Sequence, residues 1–323
     1  MGFLLKKRIG IVLAIVAAAL IIFGAVWVTV IFPGMEKLPG DLNEELNYQA
    51  TVSSLDFDTY QVVTFDAVAT RTCQAVENSG DTILIAEDVS FIDSGTGQVM
   101  PWLQQSELMA VDRVSRTHVA GSGDMDREGA WMFPLYVKEG QDYPVWISGL
   151  SSALNARYIG EEDFRGLNVY AYEIGSLEEG FIIPAGTSTP RMRLHEWISV
   201  KVEPDSGTAV YYESVSTRTA EIPIIDEATG DVAYTDMTVY ANSMVYTDET
   251  IQQQISDAKH YKGLLSWGNT YLPWLVFGLG AVMGILGAIL IARRKITEMP
   301  EARELSILSW RFQPDNPNLN PYS

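Results

Sequence analysis

The sequence is poor in cysteine, histidine and positive charge, and each shortage closes a line of explanation. Cys73 is alone among 323 residues, so no internal disulfide can form and a disulfide-stapled secreted scaffold is excluded. It falls in the strand-like stretch 68–76 and reads as a small buried hydrophobe. His118, His195 and His260 are isolated and lack the His/Cys/Glu spacing of a zinc site. Lys and Arg total 22 against 41 Asp and Glu, a formal net charge of −19. So acidic a chain repels phosphate backbones, which excludes nucleic acid as a partner. No Asn-x-Ser/Thr acceptor occurs. Together with the absent disulfide, this favours a prokaryotic membrane over an animal cell surface. No Gly-x-Ser-x-Gly, P-loop or dinucleotide fingerprint is present, so neither an enzyme nor a cofactor is expected.

Long apolar runs, by contrast, are plain. Residues 9–32 form 24 positions without a charge, and residues 271–292 form 22. At about 1.5 Å per helical residue, each can cross a hydrocarbon core of roughly 30 Å. The first run is too long for a secretory h-region and no small-x-small cleavage site follows it, so it reads as an uncleaved anchor. Lys6, Lys7 and Arg8 precede the first run, and Arg293, Arg294 and Lys295 follow the second. Basic flanks stay inside, so both termini are expected in the cytoplasm and residues 33–266 outside the plasma membrane. Trp27, Phe32, Trp267, Tyr271 and Trp274 collect at the outer ends, as interfacial aromatics do. The predicted order is a cytoplasmic N-terminus at 1–8, helix at 9–32 and β-rich domain at 33–247. A juxtamembrane helix at 248–266, a second membrane helix at 267–292 and a cytoplasmic tail at 293–323 follow. Residues 33–266 hold 14 Lys/Arg and 37 Asp/Glu, the charge density of a solvated domain.

Within that domain the period is two. Residues 61–69, 82–86, 167–172 and 197–202 alternate and are rich in β-branched side chains. Pro204-Asp205-Ser206-Gly207 is a turn leading into a further strand at 209–215, and another strand pair flanks Asp226–Asp231. The fold class expected is a mainly β, antiparallel domain, curved or barrel-like, carried by two terminal transmembrane helices. From Asp248 to Leu265 the apolar residues Ile251, Ile255, Ala258, Tyr261 and Leu265 share one helical face. Breaks are expected near Gly268 and Pro273.

Several fragments imitate catalytic or metal-binding motifs. Asp93-Ser94-Gly95 and Asp205-Ser206-Gly207 match the aspartic-protease tripeptide but read as turn chemistry. Asp124-x-Asp126-x-Glu128-Gly129 begins like a calcium loop, yet its twelfth position is Leu135, where a bidentate Glu is needed. Ser256-x-x-Lys259 lies on the amphipathic helix without the companion motifs of a penicillin-binding site.

The stretch from Asp112 to Trp146 is the best candidate for a site. It mixes Arg113, Arg116 and Arg127 with Asp112, Asp124, Asp126 and Glu128, and adds Trp131, Phe133, Tyr136, Tyr143 and Trp146. Such a mixture can form a mouth with a polar rim and an apolar floor. The ligand-binding candidates are Arg113, Arg127, Trp131, Phe133, Tyr143 and Trp146. In the apolar runs, Gly280 and Gly284, extended by Gly287, offer a small-x-x-x-small surface that Ala14 and Ala18 can meet.

The two-anchor layout, with Asp112-Arg113, Asp126-Arg127-Glu128-Gly129, Phe133-Pro134-Leu135, Tyr143-Pro144-Val145-Trp146 and Gly166-Leu167-Asn168-Val169-Tyr170, resembles an actinobacterial and archaeal membrane-protein family labelled PorA-family porins. Ile147 stands after Trp146 where that resemblance implies an acidic residue, so no role of that carboxylate carries over. The resemblance implies no catalytic residues. By layout alone the chain is also similar to the scavenger-receptor class B proteins, whose β-rich ectodomains conduct lipids. A porin in the strict sense crosses as a closed barrel with an apolar outer band, whereas here the crossing segments are helices without an ionisable residue. The expectation is therefore a non-enzymatic envelope protein set in the lipid bilayer, its β domain binding a lipid or other envelope ligand. The alternative is a channel component acting as a homo-oligomer; an extracytoplasmic hydrolase comes third.

Overall fold

In a computed structural model of the chain, residues 2–56, 58–183, 191–225 and 232–297 are described. The expected turn at 226–231 and most of the tail at 293–323 lie outside the described residues. The chain divides into two compact units, one of Met1–Thr29 with Tyr271–Ser323 and one of Val30–Thr270.

The first unit is a pair of helices, α1 (Gly2–Val26) and, at the far end of the chain, Leu272–Thr297. Both belong to helical spans apolar and long enough to cross a membrane. They pack through small residues. A Cβ built at Gly287 would stand 3.0 Å from the Gly10 carbonyl and 3.2 Å from the Ala14 nitrogen. One at Gly284 would stand 3.7 Å from Ala17 Cβ, and one at Gly280 would stand 3.5 Å from the Ala17 carbonyl. Ala18, expected on this seam, is exposed, and Ala17 is buried in its place. The reason is the step pattern. Gly10, Ala14, Ala17, Ile21 and Gly24 advance by four, three, four and three, the spacing of a left-handed helix pair, whereas Ala14 to Ala18 follows a straight step of four.

Both helical spans contain a π-turn, at Trp27–Ile31 and at Trp267–Tyr271. Each is followed by a proline six residues after its tryptophan, Pro33 and Pro273. A proline ring clashes with the carbonyl four residues earlier, and the wider turn relieves that clash without ending the helix. The breaks expected at Gly268 and Pro273 are thus a local widening.

The second unit begins with a short helix, α2 (Phe32–Met35), followed by an eleven-stranded antiparallel sheet. Its strands are β1 (Asn43–Asp56), β2 (Gln61–Ser79), β3 (Thr82–Asp93), β4 (Gln105–Asp112) and β5 (His118–Gly123). The rest are β6 (Tyr143–Ile147), β7 (Ser152–Phe164), β8 (Leu167–Ile183), β9 (Met192–Val202), β10 (Ala209–Ile225) and β11 (Val232–Tyr246). The spatial order is β5-β4-β3-β2-β1-β11-β10-β9-β8-β7-β6. Strand pairing leaves the sheet open, with β5 and β6 as edges. It nevertheless curls, because the segment around Ala130 bonds to both edges. The His118 and Trp131 amides donate to the Gly129 and Arg116 carbonyls on one side. The Ala130 and Trp146 amides donate to the Pro144 and Ala130 carbonyls on the other.

Alternation along β1 buries Leu46, Tyr48, Ala50 and Val52 and leaves Gln49 and Thr51 exposed. Register carries the buried row across the sheet, Tyr48 facing Tyr246 and Val200 facing both Tyr172 and Tyr212. A further helix, α3 (Asp248–Ser266), is capped by the Thr247 hydroxyl, which accepts from the Thr250 amide. It lays Ile251, Ile255 and Ala258 into the apolar cluster with Leu46, Val169 and Val210. Tyr261, assigned to that face from the sequence, is exposed. The last helix, Leu272–Thr297, is α4.

Candidate functional site

The curling of the sheet determines which residues of the Asp112–Trp146 stretch come together. Gly129 adopts a φ of +77° and passes so close to β6 that a Cβ there would stand 2.9 Å from the Pro144 carbonyl. This lets Ala130 bridge the edges and sets Trp131 and Trp146 on either side of the seam.

Trp131 meets a half-buried ion pair. Its indole nitrogen donates to Glu87 Oε2 at 3.2 Å, and Arg71 Nη2 donates to the same oxygen at 2.5 Å. The Arg71 guanidinium lies 6.0 Å from the Trp131 ring centre. Burial alone would raise the Glu87 carboxyl, but the Arg71 charge and hydrogen bonds from Arg71, Trp131 and Cys73 outweigh it and hold the group below the usual carboxylate range. Burial pushes the Cys73 thiol up to about 12, so it is chemically inert.

Trp146 meets a different company. Arg127, 5% exposed, lies 5.8 Å from its ring centre and pairs with Glu107 at 3.1 Å and with Asp124. Ser148 Oγ donates to Glu107 at 3.0 Å. His118 stands edge-on to Trp146, with ring centres 6.1 Å apart. Burial, then the Arg127 charge, lowers its pKa to about 4 against a smaller pull from Glu87, so it is neutral at pH 7. Trp146 Nε1 and Arg127 Nε are buried without a hydrogen-bond partner in the protein, whereas the His118 ring is placed to donate to the Ala110 carbonyl.

The other candidates go elsewhere. Phe133 and Tyr143 are buried in an aromatic core with Tyr172, with ring centres 4.7 Å (Phe133–Tyr172) and 5.7 Å (Phe133–Tyr143) apart. Arg113 is a tie between loops, donating to the Leu38 carbonyl at 2.7 Å, to Asn78 Oδ1 and to the Gly80 carbonyl. Arg116 is 7% exposed and donates to the Phe133 and Ser206 carbonyls. The calcium-like acids serve as turn acceptors: Asp124 takes the Leu108 amide and Asp126 the Gly121 amide. Among the described residues no group of three His, Cys, Asp or Glu side chains is placed to hold a metal. Asp93 caps its own turn through the Gly95 and Thr96 amides, and Asp205 bonds Lys262.

A second polar group faces the same way from the opposite wall. Asn242, Ser216 and Glu196 form one row across β11, β10 and β9, and Arg218 lies 5.5 Å from the Tyr240 ring centre. Burial raises the Glu196 carboxyl, with Ser216 and Arg218 opposing. Arg218 Nε and Asn242 Oδ1 are again buried and unpaired.

Arg71, Glu87, Glu107 and His118 were not among the sequence candidates. The strand period carried a signal for two of them, since Arg71 continues the buried row Ala67, Ala69 and Glu87 continues Ile83, Ile85.

No curated protein matches the chain. Among solved structures, the LolA superfamily protein NE2245 from Nitrosomonas europaea is similar at 9% identity over 68% of this chain and 90% of that one. The TM-score is 0.15, too low for a common arrangement of strands to be inferred. The sequence profile of the porin PorA family matches residues 9–289, which covers both apolar helices and the whole sheet. The chain belongs to the porin PorA family.

Proposed function

We propose that the protein is a membrane-anchored, channel-type component of the cell envelope that works as an assembly of several copies, in passage or binding rather than catalysis. Both termini are cytoplasmic, and residues 33–266 stand outside. The helices support the anchoring: outside the glycine seam Ile11, Val12, Ile15, Ile22, Val282, Ile285, Leu286 and Ile289 are exposed, a belt suited to lipid. Neither apolar run contains an Asp, Glu, Lys, Arg or His, so a water path needs more than one chain. The sheet does not cross the membrane itself, because the outward row of β1 is polar where a barrel would carry an apolar band.

The observation that carries the proposal is the polar character of the buried wall. Arg71, Glu87, Arg127, Glu196 and Arg218 face inward, and several of their neighbours have polar atoms with no protein partner. A compartment wetted by water or polar solute supplies those partners. A lipid tail would need an apolar cavity instead. The groove of about 440 Å³ across β2, β1, β11 and β10 lies on the outward face, where Gln49, Thr51 and Asp66 are exposed, and is no part of that wall.

Planar-bilayer recording on the purified full chain tests this reading. Discrete conductance steps are expected, with ion selectivity altered in Glu196→Gln. Absence of conductance, with lipid retained on the protein in native mass spectrometry, would replace it by the lipid-binding role. Protease added to intact spheroplasts tests the orientation: the β domain should be digested, and its protection would reverse the topology.

A further inference from the structure

The outward groove across β2, β1, β11 and β10 is open to solvent, and its volume of about 440 Å³ is that of a small-molecule site. Two rows of side chains cross it. Asp66 faces Thr51, which faces Ser243; Val68 faces Gln49, which faces Val245, which faces Glu213. Alternation turns both rows away from the buried Ala50, Ala67 and Tyr246. Short side chains occupy the middle, and a carboxylate stands at each end, Asp66 on β2 and Glu213 on β10. A hydroxyl orients each carboxylate through one oxygen. Thr51 Oγ1 donates to Asp66 Oδ1 at 3.2 Å and Tyr211 donates to Glu213 Oε2 at 2.7 Å, which leaves Asp66 Oδ2 and Glu213 Oε1 as acceptors. Among the described residues no Lys or Arg pairs with either group, and none lines the groove.

That lining selects among ligands. An anion would meet two carboxylates and no cation. A sugar would find no aromatic ring to stack on and would leave both charges unmatched. A metal ion needs carboxylates that converge on one point, whereas β2 and β10 are three strand spacings apart, about 14 Å at the backbone. What satisfies both ends is a molecule with a cation at either end and an apolar body between. We propose that this groove binds a linear polyamine, an extended aliphatic chain with one terminal ammonium held by Asp66 and the other by Glu213. Its methylenes cross Val68 and Val245, and an internal amine donates to Gln49 Oε1 or Ser243 Oγ. The site is separate from the buried wall, and nothing in it depends on conduction.

The test is isothermal titration calorimetry of the full chain in detergent, with protein-free micelles subtracted. The probes are 1,8-diaminooctane, 1,3-diaminopropane with the same charge, n-octylamine with the same apolar length, and magnesium chloride, all at matched ionic strength. Saturable binding of 1,8-diaminooctane is expected, about fivefold tighter than that of the other two amines, neither of which engages both carboxylates at once. Asp66→Asn and Glu213→Gln should each erase that preference, with the melting temperature unchanged because neither side chain is buried. Equal affinity for the three amines, or a preference that survives both substitutions, would overturn the proposal and leave general attraction to an acidic chain. Tighter binding of magnesium, lost in either variant, would replace it by a metal site. A preference for the long diamine in a protein without conductance would sustain this inference and remove the channel reading alone.

Discussion

Trp131 and Phe133 are two residues apart, and so nearly are Tyr143 and Trp146, yet the members of each pair belong to different environments. Phe133 and Tyr143 are locked edge-on into a ring cluster in which, among the described residues, the Tyr172 hydroxyl alone is buried without a partner. Trp131 and Trp146 stand among guanidinium, carboxylate and imidazole groups, half of which lack a full set of partners. Aromatic richness in this stretch therefore marks two things at once, a core that stabilises and a wall that offers hydrogen bonds. The unpaired atoms, not the rings, tell them apart.

That contrast can be broken by experiment. Phe133→Ala should cost about 3–5 kcal/mol, read by chemical denaturation of the domain, because it opens a cavity among close-packed rings. A loss below about 1 kcal/mol would show that this half is not a packed core. Next, Glu87→Ala should cost about 3 kcal/mol by leaving Arg71 without its counter-charge; a smaller loss in the double variant with Arg71→Met would confirm the pairing.

Acid should act on the polar half through two groups. Glu87 is held low in the folded chain, so its contribution is present above the unfolded carboxyl pKa and is lost as pH falls through the folded value. His118 is also held low, at about 4 against 6.5. Between those values the unfolded chain binds the proton and the folded chain does not, so stability falls as pH drops from 6.5 towards 4. The melting temperature should decline over that window, and His118→Phe should flatten the decline. An unchanged slope would mean His118 is solvated.

The smallest effects should come from removing the orphaned atoms themselves. Tyr172→Phe and Trp146→Phe should each change stability by less than about 1 kcal/mol.

Much of the sheet could be read from alternation. The strands within β2, β3, β8, β9 and β10, the turn at Asp205-Ser206-Gly207 and the helix from Asp248 all follow their periods. β1 escaped notice although Leu46, Tyr48, Ala50 and Val52 alternate, because its first turns are acidic and amide-rich and lack the β-branched side chains that flag a strand. β5 and β6 are short and carry Gly121, Gly123 and Pro144, which read as loop. The site was half legible. Arg127, Trp131 and Trp146 lie in one compositional stretch, but Arg71, Glu87 and Glu107 come from strands that only the curl of the sheet brings alongside. His118 read as an isolated histidine because its partners are spatial, with none at metal-ligand spacing.

The order of the strands has a kinetic consequence. Nearly every pairing joins neighbours in sequence, so β1 to β5 and β6 to β11 are two meanders that can each assemble from local hairpins. They are joined by β1 against β11, residues such as Tyr48 and Tyr246 that lie about 200 positions apart, and across the opposite edges by the bonds of Ala130. Bringing such distant segments together carries the largest loop-closure entropy in the domain, so docking of the two preformed halves should set the folding rate. His118 belongs to the first half and Trp146 to the second, which means the polar cluster exists only after that step. Burial of Trp146 against His118 and Arg127, followed by tryptophan fluorescence on refolding, should therefore trail the appearance of β-structure.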